Sequence, residues 1–445
     1  MKLLHEIARR AQSRRRLLVA VVGLLVLVGA SVGYLSFPQG KVLFGDVHGS
    51  PDVAFAAAQT PLAESRAAAA ARRNGPVWGL VPERTRYIPG VGVRPPFKIG
   101  WTLHAHALIE LPPTVGYGRL YFGTHAGVFT AASSKDGHVV WQHDLGECMA
   151  SSPALGGGVV YAATMGRAPC SSYRGKRGAN GELLAFNALD GRLLWRFRTG
   201  LIESSPLLIG NMLYFAAYLD NKSGYVYAVN TRTRQVVWSA FVPAKLTSSP
   251  SLEGRTLYVA SYGGYVYSFD ARTGRQHWHS PSLVDLFKSR GFYAAPAIAW
   301  GRVFIGGLDG RMYSFSQRTG RLLWTHGVSG SIYSSAALWR RTVFVGSFHG
   351  GLYALDAATG NVKWQFEPPD THVLGSPTVI AGLVYFATRE GTTYALDATD
   401  GKIVWSFADG QYTPIVADKA RVYLIGTGRI YGLVPVPPPR FSLVR

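Results

Sequence analysis

Cysteine is nearly absent from this chain: two in 445 residues, Cys148 and Cys170. There is no CxxC, no CxxCH and no adjacent Cys-Cys pair. That excludes a zinc ribbon, a covalently attached c-type haem and a disulfide-rich scaffold. GxSxG, GxxxxGK[ST] and HExxH are missing too, so serine-hydrolase, P-loop and zinc-protease sites have no support. Acidic residues are scarce, 25 against 46 Lys and Arg, for a formal charge of +21. From residue 97 onward 33 basic residues still face 20 acidic ones. Such an excess suits anionic partners: nucleic acid, acidic polymers or anionic lipid headgroups. The charges are scattered rather than in runs, which is also how a solvated basic surface reads, and no nucleic-acid partner is expected.

Long apolar runs are rare as well, with one exception. Residues 1–16 carry Lys2, Arg9, Arg10, Arg14, Arg15 and Arg16 against a single Glu6, and residues 17–37 carry no charge. At about 1.5 Å per residue such a helix crosses the roughly 30 Å hydrocarbon core of a bilayer. The basic flank predicts a single-pass anchor in the cytoplasmic membrane with the N-terminus inside and the rest of the chain outside. A cleaved signal peptide, with Val28-Gly29-Ala30 as its small-residue site, is the rival reading. Residues 38–96 read as a linker, with a short helix capped by Thr60 and Pro61 and running to Gly75.

What is abundant is a repeat. YVYSFDARTGRQHW at 265–278 returns as MYSFSQRTGRLLW at 312–324, LYALDAATGNVKW at 352–364 and TYALDATDGKIVW at 393–405. A spacing of about 40–50 residues marks a propeller or solenoid. Each unit has four pieces: a strand after a small-residue-Pro signal, an apolar strand, an alternating aromatic strand, and a strand bearing Trp. Asp270, Asp356 and Asp397 fit the turn before the Trp strand, with Gly274, Gly360 and Gly401 supplying positive φ. The copy at Asn230–Arg234 has Arg where Gly is expected, which predicts a different turn there.

Eight second strands precede only seven Trp strands, so residues 97–103 are predicted to complete the last blade. The fold class is therefore all-β: an eight-bladed β-propeller of four-stranded antiparallel blades over 97–436, closed by its N-terminal strand, monomeric, with 437–445 as a tail. Trp101, Trp141, Trp195, Trp238, Trp278, Trp324, Trp364 and Trp405 occupy equivalent places and are expected to pack blade against blade.

These units resemble the pyrroloquinoline-quinone (PQQ)-like propeller repeat family over about residues 100–434. Its catalytic members are eight-bladed quinoprotein dehydrogenases that bind PQQ and calcium beside an adjacent Cys-Cys pair. Its non-catalytic members include the propeller lipoprotein of the outer-membrane barrel-assembly machine. Without the cysteine pair, the resemblance implies a scaffold that binds envelope proteins or anionic envelope polymers, with no cofactor. A PQQ-dependent oxidoreductase and a ligand-sensing propeller are the alternatives.

In a four-stranded meander the blade-to-blade connections and the second-to-third-strand loops share one face, here termed the top. Cys148 and Cys170 fall together on it and are expected to form a disulfide. So do the loop 164–181, with Arg167, Arg174, Lys176 and Arg177, and the connection 279–293, with a short helical piece at 283–289. Three positions before each Pro equivalent stand Glu110, Ala150, Glu203, Thr247, Tyr293, Tyr333, Leu374 and Gln411. They should ring the channel mouth, with Glu110, Glu203, Tyr293, Tyr333 and Gln411 able to hold a cation, sugar or peptide. The pairs His104/His106 and His277/His279 lack a third ligand, and no metal is expected.

Overall fold

The computed structural model describes residues 81–170, 180–282, 291–369, 372–410, 412 and 415–437. The basic tail, the apolar run 17–37, most of the linker and the C-terminal tail from 438 lie outside these residues. Among the described residues no helix is long and apolar enough to cross a membrane.

Eight sheets form, and within blades 1 to 7 the four antiparallel strands run inner to outer in sequence order. Blades 1 to 7 span Thr114–Asp144, Ala154–Thr199, Leu207–Val242, Ser251–His279, Ala297–Gly327, Ala337–Phe366 and Thr378–Phe407. Blade 8 takes its three inner strands from Ile415–Pro435 and its outer strand from Phe97–His104. The predicted closure is therefore present: Phe97 lies opposite Pro435 and His104 opposite Arg429. Tyr423 completes the seam by donating to Ser134 O of blade 1 (3.2 Å).

Neighbouring blades are joined through the Trp strands. The indole N–H of Trp141, Trp238, Trp278 and Trp324 donates to Ala188, Ala271, Gln317 and Ala357 O of the next blade at 2.9–3.2 Å. The turn Gly of that next blade lies under the ring. A Cβ on Gly274 would stand 2.6 Å from Trp238, and one on Gly360 2.8 Å from Trp324. Only glycine allows this approach together with its positive φ. At about 25 cal/mol per Å² and roughly 150–250 Å² per ring, each buried aromatic contributes about 4–6 kcal/mol before entropy. Trp405 has no contiguous turn ahead of it and meets the edge of Phe97 instead, at 5.3 Å.

The turn at Asn230–Arg234 corrects the expectation. Asn230 Oδ1 accepts from the N–H of Arg232 and Thr233, and Arg234 N donates to Asn230 O. Asp270 does the same for Arg272, Thr273 and Gly274. Both sheets slip register at the equivalent step. The side-chain amide fixes the turn, and Arg234, exposed, adopts φ +62°.

The small-residue-Pro signal now has a physical reason. The first Ser of the pair bridges to its own second strand, as when Ser204 Oγ donates to Ala216 O and accepts from Ala216 N. The second accepts from the next-lower blade. Ser205 Oγ takes the N–H of Ser152, Ser249 that of Ser205, Ser335 that of Ala295 and Ser376 that of Ser335, all at 2.8–3.0 Å. A serine girdle thus stitches the inner strands around the axis.

Below the girdle the channel is occupied, by residues expected to be linker. The inner strands present their middle N–H to the axis. Leu252, Ile298, Leu338 and Val379 of blades 4 to 7 donate to Pro82, Glu83, Thr85 and Arg86 O in turn. Arg84 and Arg86 are fully buried and left-handed, φ +53° and +51°. Arg84 donates to Pro250 and Ser205 O, and Arg86 to Pro377 O, Ser376 O and Thr378 Oγ1. Burial pushes both guanidinium pKa values down to about 9, Arg86 adding to the effect on Arg84, so both remain charged at neutral pH. Tyr87–Ile88 then pairs in parallel with Val379–Ile380, making blade 7 five-stranded.

Two stability measurements check this account. Arg86→Met strands three acceptors in the interior and should cost about 2–4 kcal/mol in urea unfolding; a loss under about 0.5 kcal/mol would contradict the plug's role. Arg234→Gly relieves a left-handed L-residue and should raise stability by about 0.5–1 kcal/mol; a decrease would contradict the assigned turn.

Candidate functional site

Above the girdle the channel opens into a cup of about 390 Å³. Of the eight residues expected at its rim, Glu110, Glu203, Thr247, Tyr293, Tyr333 and Leu374 line it. Ala150 is buried with the disulfide instead, and Gln411 lies outside the described residues. Ser249, Ser335 and Ser376 of the girdle form part of the lining. Arg86 holds Ser376 O from the axis side, so the cup and the plug meet at the same residue.

Two carboxylates organise the cup. Tyr293 Oη–H donates to Glu110 Oε1 at 2.9 Å. Glu110 precedes blade 1 and Tyr293 precedes blade 5, on opposite sides of a ring of eight, so this bond crosses the axis. The other Glu110 oxygen meets His125 Nε2 at 2.6 Å. Glu203, buried, accepts from Tyr218 Oη and pairs with Lys245 Nζ at 3.3 Å. The Lys245 ammonium sits 4.5 Å from the Tyr218 ring and 5.2 Å from the Tyr262 ring. The remaining wall is aromatic: Tyr293 and Tyr333 meet edge to face at 6.0 Å, and Tyr333 meets Phe348 at 6.3 Å. Phe348 in turn touches His349 and His372.

His125, Phe348 and Arg389 line the cup and were not anticipated. All three stand two residues after a small residue at the end of the second strand: Gly123-Thr-His125, Gly346-Ser-Phe348 and Ala387-Thr-Arg389. Extending the register argument from the first strand to the second would have found them.

Cys148 and Cys170 form the expected disulfide, Cα–Cα 5.0 Å. It packs with Met165, Leu201 and Tyr218, behind the hydroxyl that holds Glu203. Arg167 beside it is exposed and bridges through its backbone to Glu147. Arg174, Lys176, Arg177 and residues 283–289 lie outside the described residues. His104 and His106 stack at 6.1 Å, and among the described residues no three His, Cys, Asp or Glu side chains gather as a metal cluster.

The cofactor implied by the catalytic branch of the PQQ-like repeats does not fit the described residues. Calcium takes about six to eight oxygen ligands. Here the Lys245 ammonium stands beside Glu203 where a cation would sit, and Glu110 is engaged by His125 and Tyr293 across the axis. The one disulfide joins residues 22 apart rather than neighbours.

Comparison with known proteins agrees on the architecture. The chain is 25% identical over 178 residues to outer membrane protein assembly factor BamB of Shewanella oneidensis, covering 37% of this chain and 42% of that protein. It is 30% identical over 135 residues to BamB of Legionella pneumophila, 28% and 32%. It is 26% identical over 237 residues to tetrathionate hydrolase of Acidianus ambivalens, 44% and 43%. The chain thus spans less than half the length of these curated relatives. Among solved structures, BamB from Moraxella catarrhalis superposes with a TM-score of 0.58 at 16% identity, over 76% of this chain and 99% of that one. Quinohemoprotein alcohol dehydrogenase from Comamonas testosteroni gives 0.68 at 15% identity, over 88% and 86%. At such identities the likeness concerns the fold alone. A family model described as outer membrane protein assembly factor BamB matches residues 65–218, 222–338 and 309–435, and the chain therefore belongs to that family.

Proposed function

We propose that this protein is a non-catalytic binding module of the cell envelope, whose top face receives a polypeptide segment. The observation that carries the reading is the cup: two carboxylates placed against an aromatic wall, closed beneath by its own chain. Carboxylates facing aromatic rings suit a cationic side chain, a Lys or Arg, projected from an extended segment or loop. His125 and Lys245 hold Glu110 and Glu203 in place until a partner's cation exchanges with them. The carboxylates of Glu110 and Glu203 are then matched both before and after docking.

Supporting this reading, named relatives are assembly factors of the outer membrane, and a structural disulfide suits an oxidising compartment. The basic-then-apolar N-terminal sequence supports a single-pass anchor with the propeller on the extracytoplasmic side. Envelope proteins are the partner class, and the exposed Arg167 beside the mouth extends the same face.

The test is photo-crosslinking in membranes with a benzoyl-phenylalanine in place of Phe348, followed by affinity measurement of the captured partner. Glu203→Ala and Tyr333→Ala should each weaken that partner by about tenfold or more. Unchanged affinity in both would overturn the cup as the docking site. Dye-linked alcohol oxidation on adding PQQ and calcium would overturn the non-catalytic reading.

A further inference from the structure

The bottom face carries a different chemistry from the mouth. Each blade shows two turns there, between its first and second strands and between its third and fourth. In blades 3, 4 and 5 the third-to-fourth-strand turns each expose two arginines: Arg232 and Arg234, Arg272 and Arg275, Arg318 and Arg321. The first-to-second-strand turns add exposed Arg255 in blade 4 and Arg340 in blade 6. In the turns of blades 3 to 6 on this face, no acidic residue is fully exposed. Asp270 and Asp356 are half-buried and accept turn N–H groups, and Glu253 is half-buried beside Gln317. Exposed bottom-face carboxylates occur elsewhere, at Asp136, Asp190 and Asp400 on blades 1, 2 and 7. The cations therefore form a crescent over four consecutive blades, not a uniform coat.

Two tryptophans stand in the same crescent. Trp300 lies in the first-to-second-strand turn of blade 5 and Trp339 ends the first strand of blade 6, both partly exposed. The Arg340 guanidinium lies 4.6 Å from the Trp339 ring. Arginine crowded around half-exposed indole is the composition favoured at the headgroup level of a bilayer, where the ring is amphipathic and phosphates meet guanidinium groups bidentately. The opposite face holds Glu110 and Glu203 inside the cup and exposes Arg167, Lys222 and Arg389 among its loops, so the clustering of arginine with indole, not net charge, sets the bottom face apart.

We infer that this crescent docks the propeller, bottom face down, onto an anionic phospholipid surface, leaving the cup pointing away from the membrane. A bilayer surface matches what the crescent offers: arginines and half-exposed indoles spread over four blades, around a pocket of about 800 Å³ between blades 4 and 5 where Arg318, Arg321 and Gln317 can receive an anionic headgroup. Docked this way, its cations come within about one Debye length of the headgroups, the range over which an anionic leaflet attracts them. This inference does not depend on what occupies the cup.

The experiment uses the full chain, unreduced so that Cys148 and Cys170 stay paired, with one dye on Gln276→Cys beside the crescent or on Ser329→Cys on the top face. Energy transfer to a headgroup-labelled lipid is measured in phosphatidylcholine vesicles and in the same vesicles containing phosphatidylglycerol. Transfer from position 276 should exceed that from 329, rise with phosphatidylglycerol and fall at high salt. Arg272→Glu, Arg275→Glu, Arg318→Glu and Arg321→Glu combined should lower it to the phosphatidylcholine level. The salt arm needs no variant and keeps the inference falsifiable if that quadruple variant fails to fold. Equal transfer from both dyes, or transfer indifferent to phosphatidylglycerol and salt, would overturn it. Retention of heparin by the crescent without the phosphatidylglycerol response would make it a polymer site and would equally overturn the lipid assignment.

Discussion

A ring of radial sheets leaves one edge of every innermost strand facing the axis, and those backbone groups must find partners or water. The whole architecture answers that constraint. At the upper level Ser205, Ser249, Ser335 and Ser376 each accept an N–H from the neighbouring blade. At the middle level the carbonyls of residues 82–86 accept from four blades in succession. The axis-facing carbonyls are met by side chains: Pro153 O by Thr114, Pro296 O by Ser251, and Pro250 and Pro377 O by the two buried arginines. Burying two guanidinium groups is costly without partners. Here the partners are an array of converging carbonyl dipoles that only a closed ring can assemble.

The same constraint shapes function. Because the axis is filled below, the channel is a cup and not a pore, and whatever binds approaches from the top. The turns between third and fourth strands carry a left-handed residue beneath a Trp while their other positions are free to vary, and blades 3 to 5 use them for arginine. The cup thus gathers carboxylates and aromatic rings, and the crescent on the opposite face arginines and indoles. The disulfide links the two scales: Cys148–Cys170 packs on Tyr218, and Tyr218 positions Glu203.

Much of this was legible in the sequence, for reasons that can be named. Trp and the Gly beneath it are a contact pair repeated in register, so blade count and the closure by Phe97–His104 followed from arithmetic. Counting back from each Pro placed Glu110, Glu203, Tyr293 and Tyr333 at the mouth. What escaped was structure whose partners are backbone groups. Residues 81–88 carry no strand periodicity, form a two-residue strand, and are held by carbonyls and N–H groups that any sequence supplies. Arg234 holds the left-handed position without glycine because the side-chain carbonyl of Asn230 is enough to set the turn and the arginine follows. Lys245 was invisible because its role depends on a buried acid one blade away, a pairing no local pattern encodes.

The central claim is that the early segment is part of the ring and not a tether beside it. Native-state hydrogen exchange at single-residue resolution tests it most directly. The amides of Leu252, Ile298, Leu338 and Val379, which donate to residues 82–86, should exchange only through global unfolding, as slowly as the second-strand amides of their own blades. Exchange of those four amides at the rate of exposed turns, with the second strands still protected, would contradict it.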